Sequence, residues 1–474
     1  MSSSRSAFAC DHEWSNGRGN NPPFGCTHPL RKQIESLLEL IQQSAYAALD
    51  EYEKHGTATP PLDSLLPHAF DNFEANTVGL KKAIRQLEGA CDQLCSTLAP
   101  PAHTIANRAQ DHYWACLRFA AKTRIADSIA EHPEGIHVRE LAEIVQIDKG
   151  KLSTILRLLA TKHCFREVDT DIFANNRLSV VLRSSNPMCS FVELMTNSSQ
   201  RAAHNLYAML ADPEYAFSTD PRKSSFMHLL KDKGHQGTAY DVFRGDPESR
   251  SILGKAMVGM NGVIGTLSIL KVYPWDKVRT VCDVGSGVGA FVWPLLESYP
   301  HVHATLFDLP ETIDLAKELC AKDRPDVLKS DHVTFTVGDF FQEMPVKGAD
   351  IYYMRNIVHN WSDERAANLL RNVRQAMGPD SRLLIHDYIM KPLCRNPGTG
   401  EGAAGHDTAP EPLLPNFGAG QMRIYNQDLT MLVIYNAKER TLDELVGICQ
   451  TAELMLEELW DLGETTVVEF VPKI

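Results

Sequence analysis

Apolar residues recur along this 474-residue chain in two registers, helical in the first half and strand-like in the second. Leu30, Ile34, Leu37, Leu38, Ile41, Ala45 and Leu49 fall on one stripe, as three- and four-residue steps do on a helix. After a proline-rich break at 57–67, a second stripe carries Leu80, Ile84, Leu87, Cys91, Leu94 and Leu98. Its alternating four- and three-residue steps are those of a heptad seam, which Pro100-Pro101 is expected to end. The spacing predicts one further helix over 112–130, two short helices at 136–144 and 151–159, and a hairpin over 165–173 with Asp169-Thr170-Asp171 at its tip. Helix, turn, helix and hairpin make a winged helix. Residues 190–270 read mostly as helices.

From residue 280 short apolar runs end in polar residues and alternate with helical spacing. The first runs into Asp283 and is followed by Gly285, Gly287 and Gly289, then by Phe291, Val292, Leu295 and Leu296. This is a strand, a glycine turn and a helix start, a turn that needs positive φ and lets a ligand touch bare backbone. Dinucleotide folds open with Gly-x-Gly-x-x-Gly; here the third glycine comes one residue early. The second run, 303–309, holds Asp308, where a carboxylate suits a ribose diol. The third, 333–337, leads into Gly338-Asp339-Phe340-Phe341, an acid for an adenine amino group beside a ring to cover its face. The fourth, 350–354, leads into Arg355-Asn356-Ile357-Val358-His359-Asn360-Trp361, and the fifth, 382–389, carries His386-Asp387. These polar residues gather at the C-terminal strand ends, the edge where open α/β sheets bind ligands. Residues 393–420 are dense in Gly, Pro, Ala and acids without periodicity, and are expected to be flexible. Helices resume at 421–435 and 442–452, and two strands near 455–459 and 465–471 close the chain.

Asp283-Val-Gly-Ser-Gly-Val-Gly289, Asp308-Leu-Pro310, Gly338-Asp-Phe340, His359-Asn-Trp-Ser-Asp-Glu364 and Lys438-Glu-Arg-Thr441, in this order, resemble the class I S-adenosylmethionine-dependent O-methyltransferases. The resemblance is to the plant caffeate-type and fungal secondary-metabolite enzymes. It implies an α/β fold: a Rossmann-like catalytic domain with a seven-stranded sheet, the last strand antiparallel, preceded by a helical, winged-helix dimerisation domain. It implies S-adenosylmethionine as cofactor, held by Asp283, Gly285, Gly287, Asp308, Leu309, Asp339, Phe340 and Arg355. His359 takes the place of the catalytic base, with Asp387 and Glu439 as its flanking acids, and Met257 and Met260 fall where the family lines its acceptor pocket. A phenol, with a pKa near 10, needs such a base, and histidine is matched to the task. Two residues depart from the pattern: Asp387 replaces a glutamate common in the plant enzymes and is one methylene shorter, and where the family reads His-Asp-Trp, Asn360 keeps a hydrogen bond but loses the charge.

The implied organisation is a flexible tail (1–28), N-terminal helices (29–105), a winged-helix dimerisation domain (106–190), a helical pocket region (191–270) and the catalytic domain (271–474) with its insert at 393–420. A net charge of −13 speaks against nucleic acid as the main partner, because phosphate binding needs a basic face. No run of 18 apolar residues reads as a membrane span, the start lacks a signal peptide's apolar core, and the cytoplasm is the expected compartment. The 11 cysteines read as reduced thiols; Cys10 and His12, with Cys26 and His28, fit no common zinc spacing, and no metal is expected. The reading is an O-methyltransferase, a homodimer, acting on a phenolic or enolic hydroxyl of a small aromatic or polyketide metabolite. Its rivals are a non-methylating pericyclase or dehydratase on this fold, and a winged-helix regulator that binds DNA.

Overall fold

The computed structural model describes residues 29–54, 58–71, 77–395 and 408–473. The C-terminal half is built on seven strands: β1 (Thr280–Val284), β2 (His303–Asp308), β3 (Val333–Val337), β4 (Ile351–Arg355), β5 (Arg382–Asp387), β6 (Leu454–Asp461) and β7 (Thr466–Pro472). Their order across the sheet is β6-β7-β5-β4-β1-β2-β3. Strands β1 to β5 pair in parallel, whereas β7 is antiparallel to both its neighbours. The winding reverses between β1 and β4, which opens a crevice at their C-terminal ends.

Alternation along the strands divides the core. Cys282, Val284, Tyr352, Met354, Leu383 and Ile385 pack beneath helices Asp363–Ala376 and Leu442–Thr451. Val281, Ala304, Leu306, Ile351, Tyr353 and Leu384 pack beneath Val292–Ser298 and Pro310–Asp323. With both faces covered, the central strands are apolar almost throughout, and polar chemistry is left to their tips.

Helices Pro29–Lys54 and Val78–Leu98 pack together around Leu37, Leu40 and Ala90. The expected stop at Pro100-Pro101 is a restart, because Pro101 opens helix Pro101–Ala109 at a position where its missing N–H costs nothing. The helix expected over 112–130 is two, Tyr113–Thr123 and Ile125–Ala130, broken at Arg124 with φ +53°. Helices Val138–Val145 and Lys149–Thr161 then precede the hairpin of Arg166–Asp169 and Ile172–Ala174, which Ile136–His137 joins as a third strand. The second of these helices buries Leu152, Leu156 and Leu159. Lys149 and Arg157 of this helix pair with Asp171, and Lys162 at its end pairs with Asp111, so these cations are engaged by carboxylates.

The insert expected at 393–420 to be flexible is described over 393–395 and 408–420, and the second of these stretches is packed. Ala409, Leu413 and Phe417 are buried against Leu37, Leu40 and Ala90 of the two N-terminal helices. Two glycines permit this approach: a Cβ on Gly420 would lie 1.8 Å from the Arg85 carbonyl oxygen, and one on Gly89 2.2 Å from that of Phe417. The Arg85 guanidinium stacks 4.0 Å from the Phe417 ring centroid, and Gln93 donates to the Pro412 carbonyl at 2.7 Å. The tail at 1–28, with its Cys and His pairs, lies outside the described residues. Among the described residues no single helix is long and apolar enough to cross a membrane, and the cysteines are free.

Candidate active site

The glycine turn leaves β1 with φ of +72° at Gly285 and +56° at Gly287, values at which a side chain is strained. Gly285 also lies against Ile357, 2.4 Å from where its Cβ would stand, whereas a Cβ on Gly287 would meet nothing within 4 Å. The first glycine is a packing requirement; the second presents open backbone. The Gly287 N–H donates to Asp308 Oδ2 at 2.8 Å and the Leu309 N–H to Asp308 Oδ1 at 2.7 Å. That uses about two of the carboxylate's four lone-pair sites and fixes it at the tip of β2. Burial raises the Asp308 pKa, and these N–H groups oppose the rise.

Asp283 is buried at the end of β1 and pushed up to about 7 by burial, against the pull of Arg355 and with a further push from Asp308. Arg355, at the end of β4, has a buried Nη1 without a hydrogen-bond partner among the described residues. Asp339 accepts from the Phe341 N–H at 2.9 Å, which orients the turn after β3. The Phe340 ring lies 3.9 Å from the Gly285 Cβ position. Open glycine backbone, a fixed carboxylate and an aromatic ring at neighbouring strand tips fit a nucleoside carrying an amino-acid tail. When bound, S-adenosylmethionine supplies an electrophilic methyl group.

His359 lies in the turn Val358–Asn360 after β4 and is 5% exposed. Its Nδ1 is 2.7 Å from Glu439 Oε1. A carboxylate accepts, so Nδ1 carries a proton, and in the neutral imidazole Nε2 is the free nitrogen. Burial pushes His359 down, but the charges of Glu439 and Asp387 override it and lift the pKa to about 9. Asp387 also braces the turn: its Oδ1 accepts from the Asn356 N–H at 2.8 Å. Asn356 is left-handed at φ +54°, and its carbonyl accepts from Asn360 Nδ2 at 2.8 Å. The departure at 360 therefore has a structural use, because an aspartate there would lack the N–H that Asn360 donates.

A cavity of about 260 Å³ opens beside this turn, and His359, Met257 and Met260 all line it. Tyr240 stacks on Tyr435 at 4.7 Å and faces Trp361 at 6.2 Å, giving the cavity an aromatic wall. Ser198, Ser199, Gln427 and Thr430 supply polar atoms. Two π-helical turns, Met195–Ser199 and Met431–Tyr435, contribute much of the lining; such turns bulge a helix and re-aim its side chains.

Motif reading passed over Arg440. It donates to the Val358 carbonyl at 2.9 Å, to the Trp361 carbonyl at 2.6 Å and to Asp363 Oδ1 at 2.9 Å, so it grips the His359 turn on both sides. The signal lay in Lys438-Glu-Arg-Thr441, one residue beyond the glutamate that the motif singled out. Tyr240, Gln427 and Tyr435 also escaped, since nothing local marks a residue as facing a cavity formed by distant helices.

Comparison with known proteins bears on this geometry. An O-methyltransferase domain model matches residues 223–404. The 3-O-methyltransferase 2 of Phanerochaete chrysosporium is 38% identical over 449 residues, covering 93% of this chain and 98% of its own. Human N-acetylserotonin methyltransferase, solved in complex with S-adenosylmethionine, has a TM-score of 0.63 at 19% identity, over 80% of this chain and 99% of its own. A pericyclic reaction enzyme has a TM-score of 0.65 at 17% identity, over 93% of this chain and 99% of its own. Both structures share the fold.

Proposed function

The chain belongs to the S-adenosylmethionine-dependent O-methyltransferases of secondary metabolism, and from that premise we propose that it methylates a phenolic or enolic hydroxyl of a small aromatic or polyketide metabolite, with His359 as general base. The observation that carries the proposal is the buried His359–Glu439 pair at the wall of an apolar cavity. In this reading the acceptor ring lies among Met257, Met260, Tyr240 and Tyr435, and its hydroxyl meets His359 Nε2. Glu439 fixes the tautomer and balances the imidazolium as the proton moves, as a carboxylate does for a catalytic histidine. Asp387, Asn360 and Arg440 hold the turn that aims the ring. Asp283, Gly285, Gly287, Asp308, Leu309, Asp339, Phe340 and Arg355 are proposed to hold the cofactor.

A panel of acceptors incubated with S-adenosylmethionine and read by mass spectrometry tests the substrate class. Methyl gain on phenols or enols, and not on matched amines or carboxylates, supports the proposal. Preference for nitrogen or carboxylate would overturn it, and turnover without methyl gain would favour a pericyclase-like activity.

We further propose a homodimer formed through the N-terminal helices. Leu38 (51% exposed), Tyr46 (60%), Leu98 (61%) and Ile105 (64%) leave an apolar surface that one copy of the chain does not cover, of the kind that marks an interaction site.

A further inference from the structure

We propose a second site, for a divalent transition-metal ion of the Zn²⁺ type, formed by His303, His332 and Asp331 at the sheet edge opposite the catalytic crevice. His303 opens β2 and His332 immediately precedes β3. The parallel ladder pairs Ala304 with Val333, and the Ala304 N–H donates to the His332 carbonyl at 2.8 Å. The two imidazoles are thereby register neighbours, with ring centroids 4.6 Å apart and planes inclined by 31°. One nitrogen from each ring and a carboxylate oxygen of Asp331 lie within 4.8 Å of one another.

Two imidazoles and a carboxylate are a zinc donor set, and three protein ligands leave a fourth position for water. A tetrahedral ion holds its donors about 3.3 Å apart, so closure from within 4.8 Å requires a contraction of at most about 1.5 Å. The side chains are free to make it: Asp331 is 90% and His332 39% exposed. His332 Nδ1 lies 3.3 Å from the Val302 carbonyl oxygen. A carbonyl only accepts, so Nδ1 carries the proton and Nε2 keeps its lone pair, 3.7 Å from Asp331 Oδ1. This is the outer bond that orients a metal-binding histidine. The site uses no residue proposed for cofactor, acceptor or base. It ties together the starts of β2 and β3, whose far ends lead to Asp308 and Asp339.

The test uses untagged full-length protein stripped with a chelator. Zn²⁺ is titrated by calorimetry and Co²⁺ by visible absorption. The wild type is expected to bind Zn²⁺ at this site and to lose at least about tenfold in affinity in His303→Ala and in His332→Ala. His303→Gln and His332→Gln serve if an alanine variant does not fold. Residues 1–28 carry other donors, so Cys10→Ser/Cys26→Ser is titrated in parallel and is expected to retain the site. Absence of Zn²⁺ binding tighter than millimolar overturns the proposal. So does binding that survives both histidine changes, or that disappears in the cysteine variant alone.

Discussion

Among single residues, charge around one imidazole sets its titration. His359 sits near 9 rather than its ordinary 6.5, because Glu439 and Asp387 outweigh the cost of burial. A raised pKa means that the folded state favours the imidazolium. Its contribution to stability is complete below pH 6.5 and is lost as pH rises through about 9. The base form follows the opposite course, so kcat/KM should climb with pH toward about 9. Glu439→Gln removes one of the two charges and should move that limb to lower pH while reducing kcat; a pH–rate profile of both proteins checks it, and an unmoved limb would remove Glu439 from the mechanism. Arg440→Lys should lower kcat by about tenfold or more, since an ammonium cannot reproduce a planar fork spanning two carbonyls and a carboxylate; steady-state kinetics checks it. His359 could be singled out after a strand tip and Glu439 inside Lys438-Glu-Arg-Thr441, and the fold brings the two into contact. The clamp of Arg440 was not legible, because two of its three partners are main-chain oxygens, which sequence does not mark.

Among elements, the segment at 408–420 decides how the N-terminal helices meet the catalytic domain. It continues through Gly418–Gln421 into helix Met422–Thr430, and Gln427 and Thr430 of that helix line the acceptor cavity. Gly420→Ala places a methyl 1.8 Å from the Arg85 carbonyl, an overlap that backbone must move to relieve. It should cost about 1–3 kcal/mol, read as a lower thermal midpoint, and raise the acceptor KM while leaving S-adenosylhomocysteine affinity unchanged. The sheet was readable because central parallel strands must be apolar and end in polar tips. The packed insert was not, because burial of Leu413 and Phe417 follows from contact with a distant helix and leaves no period. The π-helical turns were equally hidden, as an extra residue in a helical turn leaves the apolar spacing almost unchanged.

The whole molecule joins a catalytic sheet to helices whose outer stripe remains apolar. The helix pair buries Leu37, Leu40 and Ala90 internally and exposes Leu38 and Leu98, so the residues that pack within the chain differ from those offered to the proposed dimer. Leu38→Glu/Leu98→Glu should convert a dimer to monomer in analytical ultracentrifugation without lowering the thermal midpoint; a wild-type monomer would contradict the dimer. The overall architecture was legible because five motifs fell in the order that the fold requires. The most direct test of the central claim is single-turnover methyl transfer by His359→Ala at saturating cofactor and acceptor, with S-adenosylhomocysteine affinity measured alongside. The account predicts a rate lower by about 10²–10⁴-fold with affinity unchanged. Transfer at the wild-type rate would contradict His359 as the base.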